Sequence, residues 1–169
     1  MKKYVFALVV SITCICGCGG VPAPDELKNL VPVSVTVTDG GTPLDDVAVT
    51  LSPKTGGGAW ASCGITDAKG VAVIQTTRAS YTGKGAPAGD YKIMLIKGIK
   101  FPADLQPQET DQDLAPQAAA AKEAKRNDFL KKNRIIPEAF ENAAKSPVDL
   151  TAAPKTGATL TVDISQYKK

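Results

Sequence analysis

Val33-Ser34-Val35-Thr36-Val37-Thr38 runs into Asp39-Gly40-Gly41-Thr42-Pro43, and Val47-Ala48-Val49-Thr50-Leu51 follows. Three valines alternate with small hydroxyl residues in the first stretch. Period-two alternation puts one set of side chains on each face of extended backbone, so this stretch predicts a half-buried strand. The Asp-Gly-Gly run predicts a turn, because glycine reaches positive φ and aspartate accepts bonds from nearby backbone amides. Val47, Val49 and Leu51 repeat the alternation until Pro53 stops it.

The same reading extends outward. Trp60 to Thr66 predicts a third strand with Cys63 and Ile65 on one face. Thr66-Asp67-Ala68-Lys69-Gly70 predicts a tight turn, and Val71, Val73 and Gln75 a fourth strand. Residues 76–87 are polar and read as irregular. Tyr91, Ile93 and Leu95 form the clearest strand, and Leu160, Val162 and Ile164 a last one that closes the sheet. The chain has 169 residues, which suits one domain. Its 15 glycines and 12 prolines favour a turn-rich β fold over a helical bundle. Aromatics make up 5%, so Val, Leu and Ile must fill the interior. The expected fold is an all-β Greek-key β-sandwich, a single domain over 31–169.

Within it, 98–145 breaks the pattern. Residues 102–113 are polar and acidic. From Ala115 to Lys132 the composition is helical, with Ala118 to Ala121 as the best helix formers and Pro116 placed for a first turn. Glu123 and Arg126 are spaced to pair weakly. The apolar stripe is thin, so residues 98–134 predict an exposed helical insertion before the C-terminal strands.

The N-terminus reads as an address. Lys2 and Lys3 precede an uncharged run from Tyr4 to Ile15, the pattern of a secretory signal over residues 1–17. About 12 apolar residues fall short of the roughly 18 to 20 that span a bilayer. Ile15-Cys16-Gly17-Cys18 resembles the lipobox of bacterial lipoproteins, which makes Cys18 the acylated residue and 18–30 a tether. Gly19 stands where the common inner-membrane retention aspartate would be. The expected place is the cell envelope, on the outer membrane or the periplasmic face, with the lipid as membrane partner.

Composition excludes much. The chain has no histidine, which removes Ser-His-Asp and Cys-His catalysis and histidine-ligated metals. Formal charge is +3, and losing Lys2 and Lys3 leaves the rest close to neutral, against a nucleic-acid partner. No enzyme activity, cofactor or metal is expected. Cys63 is left alone once Cys14 and Cys16 depart and Cys18 is acylated; a buried, inert thiol is the expectation. Trp60 and Tyr81 flank glycine-rich loops and are the candidate ligand contacts, with a core role for Trp60 favoured. Asp67 as a calcium ligand and the run Glu109, Asp111, Asp113 as a cation site are weighed against turn capping and plain solvation, which are favoured.

Three motifs resemble a known family. Gly41-Thr42-Pro43-Leu44-Asp45-Asp46-Val47-Ala48-Val49, Gly64-Ile65-Thr66-Asp67-Ala68-Lys69-Gly70 and Pro87-Ala88-Gly89-Asp90-Tyr91-Lys92-Ile93 are similar to the hairpin, turn and strand motifs of carboxypeptidase-regulatory-like (transthyretin-like) domains. Ile136-Pro137 and Ser146 to Thr151 look like the tail that small lipoproteins of this kind add, with two extra residues before Leu150. The resemblance covers about 31–97 and 135–165. It implies a seven-stranded Greek-key sandwich without catalytic residues. The expected role is a lipid-anchored structural or interaction module; the alternative is a module that binds carbohydrate or another small ligand, with an envelope protein or glycan as partner.

Overall fold

The computed structural model describes residues 23–56, 58–106, 115–152 and 155–168. Two β-sheets enclose one core. The strands are β1 (Val33–Asp39), β2 (Thr42–Pro43), β3 (Val47–Pro53), β4 (Ala61–Ile65), β5 (Val71–Val73), β6 (Gln75–Arg78), β7 (Tyr81–Lys84), β8 (Gly89–Lys97), β9 (Asp149–Ala152) and β10 (Ala158–Asp163). One helix, α1, spans Pro116–Asn133. The larger sheet has the order β7-β6-β4-β3-β8-β9. In the smaller sheet β1 pairs in parallel with β10 and antiparallel with β2 and β5.

The alternation decides the core. Val33, Val35 and Val37 of β1, Val47, Val49 and Leu51 of β3, and Tyr91, Ile93 and Leu95 of β8 all point between the sheets and are buried. Fully burying one such aliphatic side chain contributes about 1.5–3 kcal/mol. Phe140 and Ile136, from the stretch after α1, close one side of this core, and the Phe140 ring meets Tyr167 edge-on at 5.2 Å.

Four expectations need correction. The strand read as 71–75 is two: β5 pairs with β1, the chain crosses between sheets at Ile74, and β6 pairs with β4. Its buried residues are therefore Ala72, Ile74 and Thr76, while Val73 is open to solvent. Residues 76–87 are not irregular, because β6 and β7 form a hairpin there. Its inward positions are Thr76 and Gly83, too small and polar to show as apolar alternation. The strand count is ten among the described residues, not seven. The tether is shorter than 18–30: Asp25–Leu27 is a 3-10 turn and Leu27 is fully buried, so the chain is already fixed to the domain there.

The first two motifs build one corner. Thr66 Oγ1 accepts the Val47 N–H at 2.9 Å and donates to the Leu44 carbonyl at 2.7 Å. Gly70 sits at φ 73°, and a Cβ there would lie 2.6 Å from the Val37 carbonyl oxygen, so only glycine fits. In the third motif, Tyr91 buries its ring and its hydroxyl donates to the Pro87 carbonyl at 2.7 Å. That contact is similar to the tyrosine corner of immunoglobulin-like sandwiches.

Candidate functional site

The sandwich has two chemically different ends. At the first, the chain enters through Leu30 and the Val31–Ala86 bridge. A Cβ on Gly83 would come within 2.5 Å of both Leu30 Cδ1 and the Tyr81 hydroxyl, so these two side chains meet over that glycine. Tyr81 pairs with Arg78 across the hairpin. Trp60 immediately precedes the Ala61–Thr77 pair and so lies beside Arg78. The two aromatic candidates thus share one end of one sheet, Trp60 just before β4 and Tyr81 at the start of β7, with β6 between these strands. Trp60 is partly exposed, not a core residue as favoured from sequence. Its ring folds over Gly58, and its indole N–H finds no hydrogen-bond acceptor among the described residues.

Next to them a cleft of about 610 Å³ opens at the root of the tether. Its lining combines Lys28, Asn29 and Lys155 with the apolar Leu30, Val31, Pro32 and Ala88. Lys28 pairs with Asp25 at 2.5 Å, both well exposed. Lys155 holds an unusual positive φ of 72° in the turn before β10.

The second end gathers the loops that carry Asp39, Asp45, Asp46, Asp67 and Asp163. Asp67 Oδ1 accepts backbone N–H bonds from Lys69 at 2.8 Å and Val71 at 2.9 Å. These bonds, Val71's foremost, hold its carboxyl below the ordinary value of 3.8. The residue is a turn cap, the role favoured from sequence. Asp163 accepts N–H bonds from Gly40 and Ser165 and ties the β1–β2 turn to the C-terminal 3-10 turn; its carboxyl is lowered, first by the bond with Ser165. No group of three or more His, Cys, Asp or Glu is gathered for a metal among the described residues. Glu109, Asp111 and Asp113 lie outside them, as does Cys18.

A third surface escaped sequence reasoning. On the outer face of the larger sheet, Ile65, Ala48 and Ile96 stand in register across β4, β3 and β8. Ile65 is 66% exposed and Ile96 48%. Cys63, Thr50 and Met94 form the next row. Cys63 is exposed, which overturns its expected burial. The signal was present: once Val47, Val49 and Leu51 face inward, Ala48 and its cross-strand partners must face out. The strip continues into a groove of about 250 Å³ between Ile96, Phe101, Leu130 and Ile135. No helix among the described residues is long and apolar enough to cross a membrane.

No family model matches the chain, and no curated protein is similar to it at a meaningful level. Among solved structures, a variant of BcpA, the major pilin subunit of Bacillus cereus, is similar at 13% identity with a TM-score of 0.39. That match covers 81% of this chain and 30% of the pilin, so the chain spans under a third of the pilin's length.

Proposed function

We propose that the chain is an exported, lipid-anchored β-sandwich acting as a structural or interaction module of the cell envelope, without catalysis. The observation that carries the interaction role is the open apolar strip of Ile65, Ala48 and Ile96 running into the groove beside α1. Contiguous exposed apolar surface on a soluble domain is the usual mark of a protein-docking face. The anchor rests on Cys18 and its lipobox, and the absence of histidine supports a binding role over the commonest hydrolytic machineries. The transthyretin-like assignment belongs to the same proposal. Supporting it, the three motifs occupy a corner, a capped turn and a buried tyrosine where their glycines and hydroxyls have stated structural work.

Intact mass of the protein from host membranes tests the anchor. The expected species begins at Cys18 and carries added acyl mass that a Cys18→Ser variant lacks; an unacylated chain in the medium refutes it. A photo-crosslinker at Ile65 tests the docking face, with one at Thr159 on the opposite sheet as control. The second reading, a carbohydrate- or small-ligand-binding module, draws on Trp60 and Tyr81 sharing one end. A saccharide panel that leaves the thermal midpoint unmoved removes it.

A further inference from the structure

We infer that the end of the sandwich where the tether enters rests on the bilayer, with Lys28 and Lys155 holding the phosphate of an anionic phospholipid and Trp60 and Tyr81 set in the headgroup layer. The inference depends on acylation of Cys18.

Reach comes first. Leu27 is fully buried and Asp25–Leu27 is a fixed turn. Cys18 therefore lies six residue steps before Pro24, the residue that precedes this turn. At about 3.3–3.6 Å per step that is roughly 20 Å fully extended. An acylated Cys18 sits at the membrane surface, so this end cannot stand farther off than that.

Chemistry comes second. The cleft at the tether root is lined by Lys28 and Lys155 together with the apolar Leu30, Val31, Pro32 and Ala88. That combination fits a phosphate with its glycerol and first methylenes, and fits a free sugar poorly. Lys28's bond to Asp25 does not compete strongly, since exposed pairs are weak. Trp and Tyr concentrate at membrane–water boundaries because each has an apolar body and a polar tip. Trp60 is partly exposed, so part of its indole ring is open at this end. Of the acidic side chains at this end, Asp25 pairs with Lys28, Asp149 bridges Lys54 and Lys92, and Asp90 accepts the Thr151 hydroxyl.

Charge polarity comes third. Asp39, Asp45, Asp46, Asp67 and Asp163 all lie at the opposite end. Lys168 pairs with Asp39 and Lys97 with Asp45 there, so the far end is only partly anionic, and the pull of an anionic surface on Lys28 and Lys155 sets the orientation.

Trp60 is the chain's only tryptophan, so its fluorescence reports this end alone. The acylated full-length chain is placed on phosphatidylcholine vesicles with or without phosphatidylglycerol, and flotation reads the anchor. With phosphatidylglycerol present, brominated lipid is expected to quench Trp60 and aqueous iodide to lose access. Lys28→Gln and Lys155→Gly each lower the docked-to-undocked ratio about five-fold, and added salt does the same. Lys155→Gly relieves a strained φ, so unfolding cannot explain its effect. A floated chain whose Trp60 stays open to iodide on both vesicle types overturns the docking and leaves the anchor standing. Protection of Trp60 by a peptidoglycan fragment but not by lipid overturns it in favour of the glycan reading. A chain that does not float defeats the anchor and the docking with it.

Discussion

The core strands and helix α1 are both regular, and they are held in opposite ways. Each of β1, β3 and β8 sends three alternate residues into a shared interior where nearly all contact with water is lost. Helix α1 has 18 residues and buries none of them. It is attached by its side: Arg126 donates to the Leu105 carbonyl at 2.8 Å and the Gln106 carbonyl at 2.9 Å, and Phe129 meets Phe101 at 5.7 Å. A period-two pattern on two facing sheets creates a common inside. A helix without an apolar stripe has none to share, so it depends on a few polar bonds and its own alanine-rich propensity.

The strongest way to break this comparison is to truncate one aromatic on each side. Phe140 is fully buried against Tyr167, and Phe140→Ala should cost about 3–5 kcal/mol in urea unfolding. Phe129 is only partly covered, and Phe129→Ala should cost less than about 1 kcal/mol. Equal losses would mean that the insertion belongs to the cooperative core.

A middle-sized effect sharpens the comparison within the core. Ser62 and Thr76 are buried polar residues facing each other across β4 and β6, 2.7 Å apart through their hydroxyls, and Thr76 also donates to the Gly85 carbonyl at 2.7 Å. Thr76→Val keeps the shape and strands both partners, so it should cost about 1–3 kcal/mol. Ser62→Ala with Thr76→Val should cost less than the two changes summed, since both remove one network. Strict additivity would show the hydroxyls to be independent.

This buried pair also explains where sequence reading stopped. Alternation tells which residues share a face, and it located β1, β3, β4, β8 and β10 because those strands spend valine, leucine or isoleucine on a face. It does not tell which face meets the core. At β4 the inward residue is Ser62, while Cys63 and Ile65 turn outward. At β5 the larger valines are the outer ones, because the chain is changing sheets and Ala72 and Ile74 must fit beneath β1. The β6–β7 hairpin stayed hidden for the same reason, its inner face being hydroxyl and glycine. At the candidate site, Trp60 and Tyr81 were legible as aromatics beside glycine-rich loops. Their company was not: Lys28 and Leu30 come from one stretch and Lys155 from another, both far in sequence from Trp60 and Tyr81.

Acid should act on the sandwich through three carboxylates. Asp67 is lowered by backbone bonds from Val71 and Lys69, Asp149 by its bonds to Lys92 and Lys54, and Asp163 chiefly by Ser165. A carboxyl with a lowered folded value stabilises fully above its unfolded value, here 3.8, and loses that contribution as pH falls through the lowered one. Unfolding midpoints should therefore hold level from neutrality to about pH 5 and drop below about pH 4. Asp67→Asn keeps an acceptor for the two N–H groups but removes the charge, so its curve should be flatter in acid than that of the parent. An unchanged slope would place the acid sensitivity on the other two.

The smallest global effect should come from Arg126. Its guanidinium joins α1 to the 3-10 turn at Ala103–Leu105, and Glu123 approaches it at 3.8 Å on the helix surface. Arg126→Ala removes the bonds to both carbonyls, yet no core side chain moves. Global stability should change by no more than about 0.5 kcal/mol. Amide exchange within Pro116–Asn133 should nevertheless speed up, while exchange in β3 and β8 stays as it was, because the helix would open without opening the sandwich. If β8 exchanges faster as well, the groove between Ile96 and Leu130 transmits the change, and the insertion is coupled to the outer face that it borders.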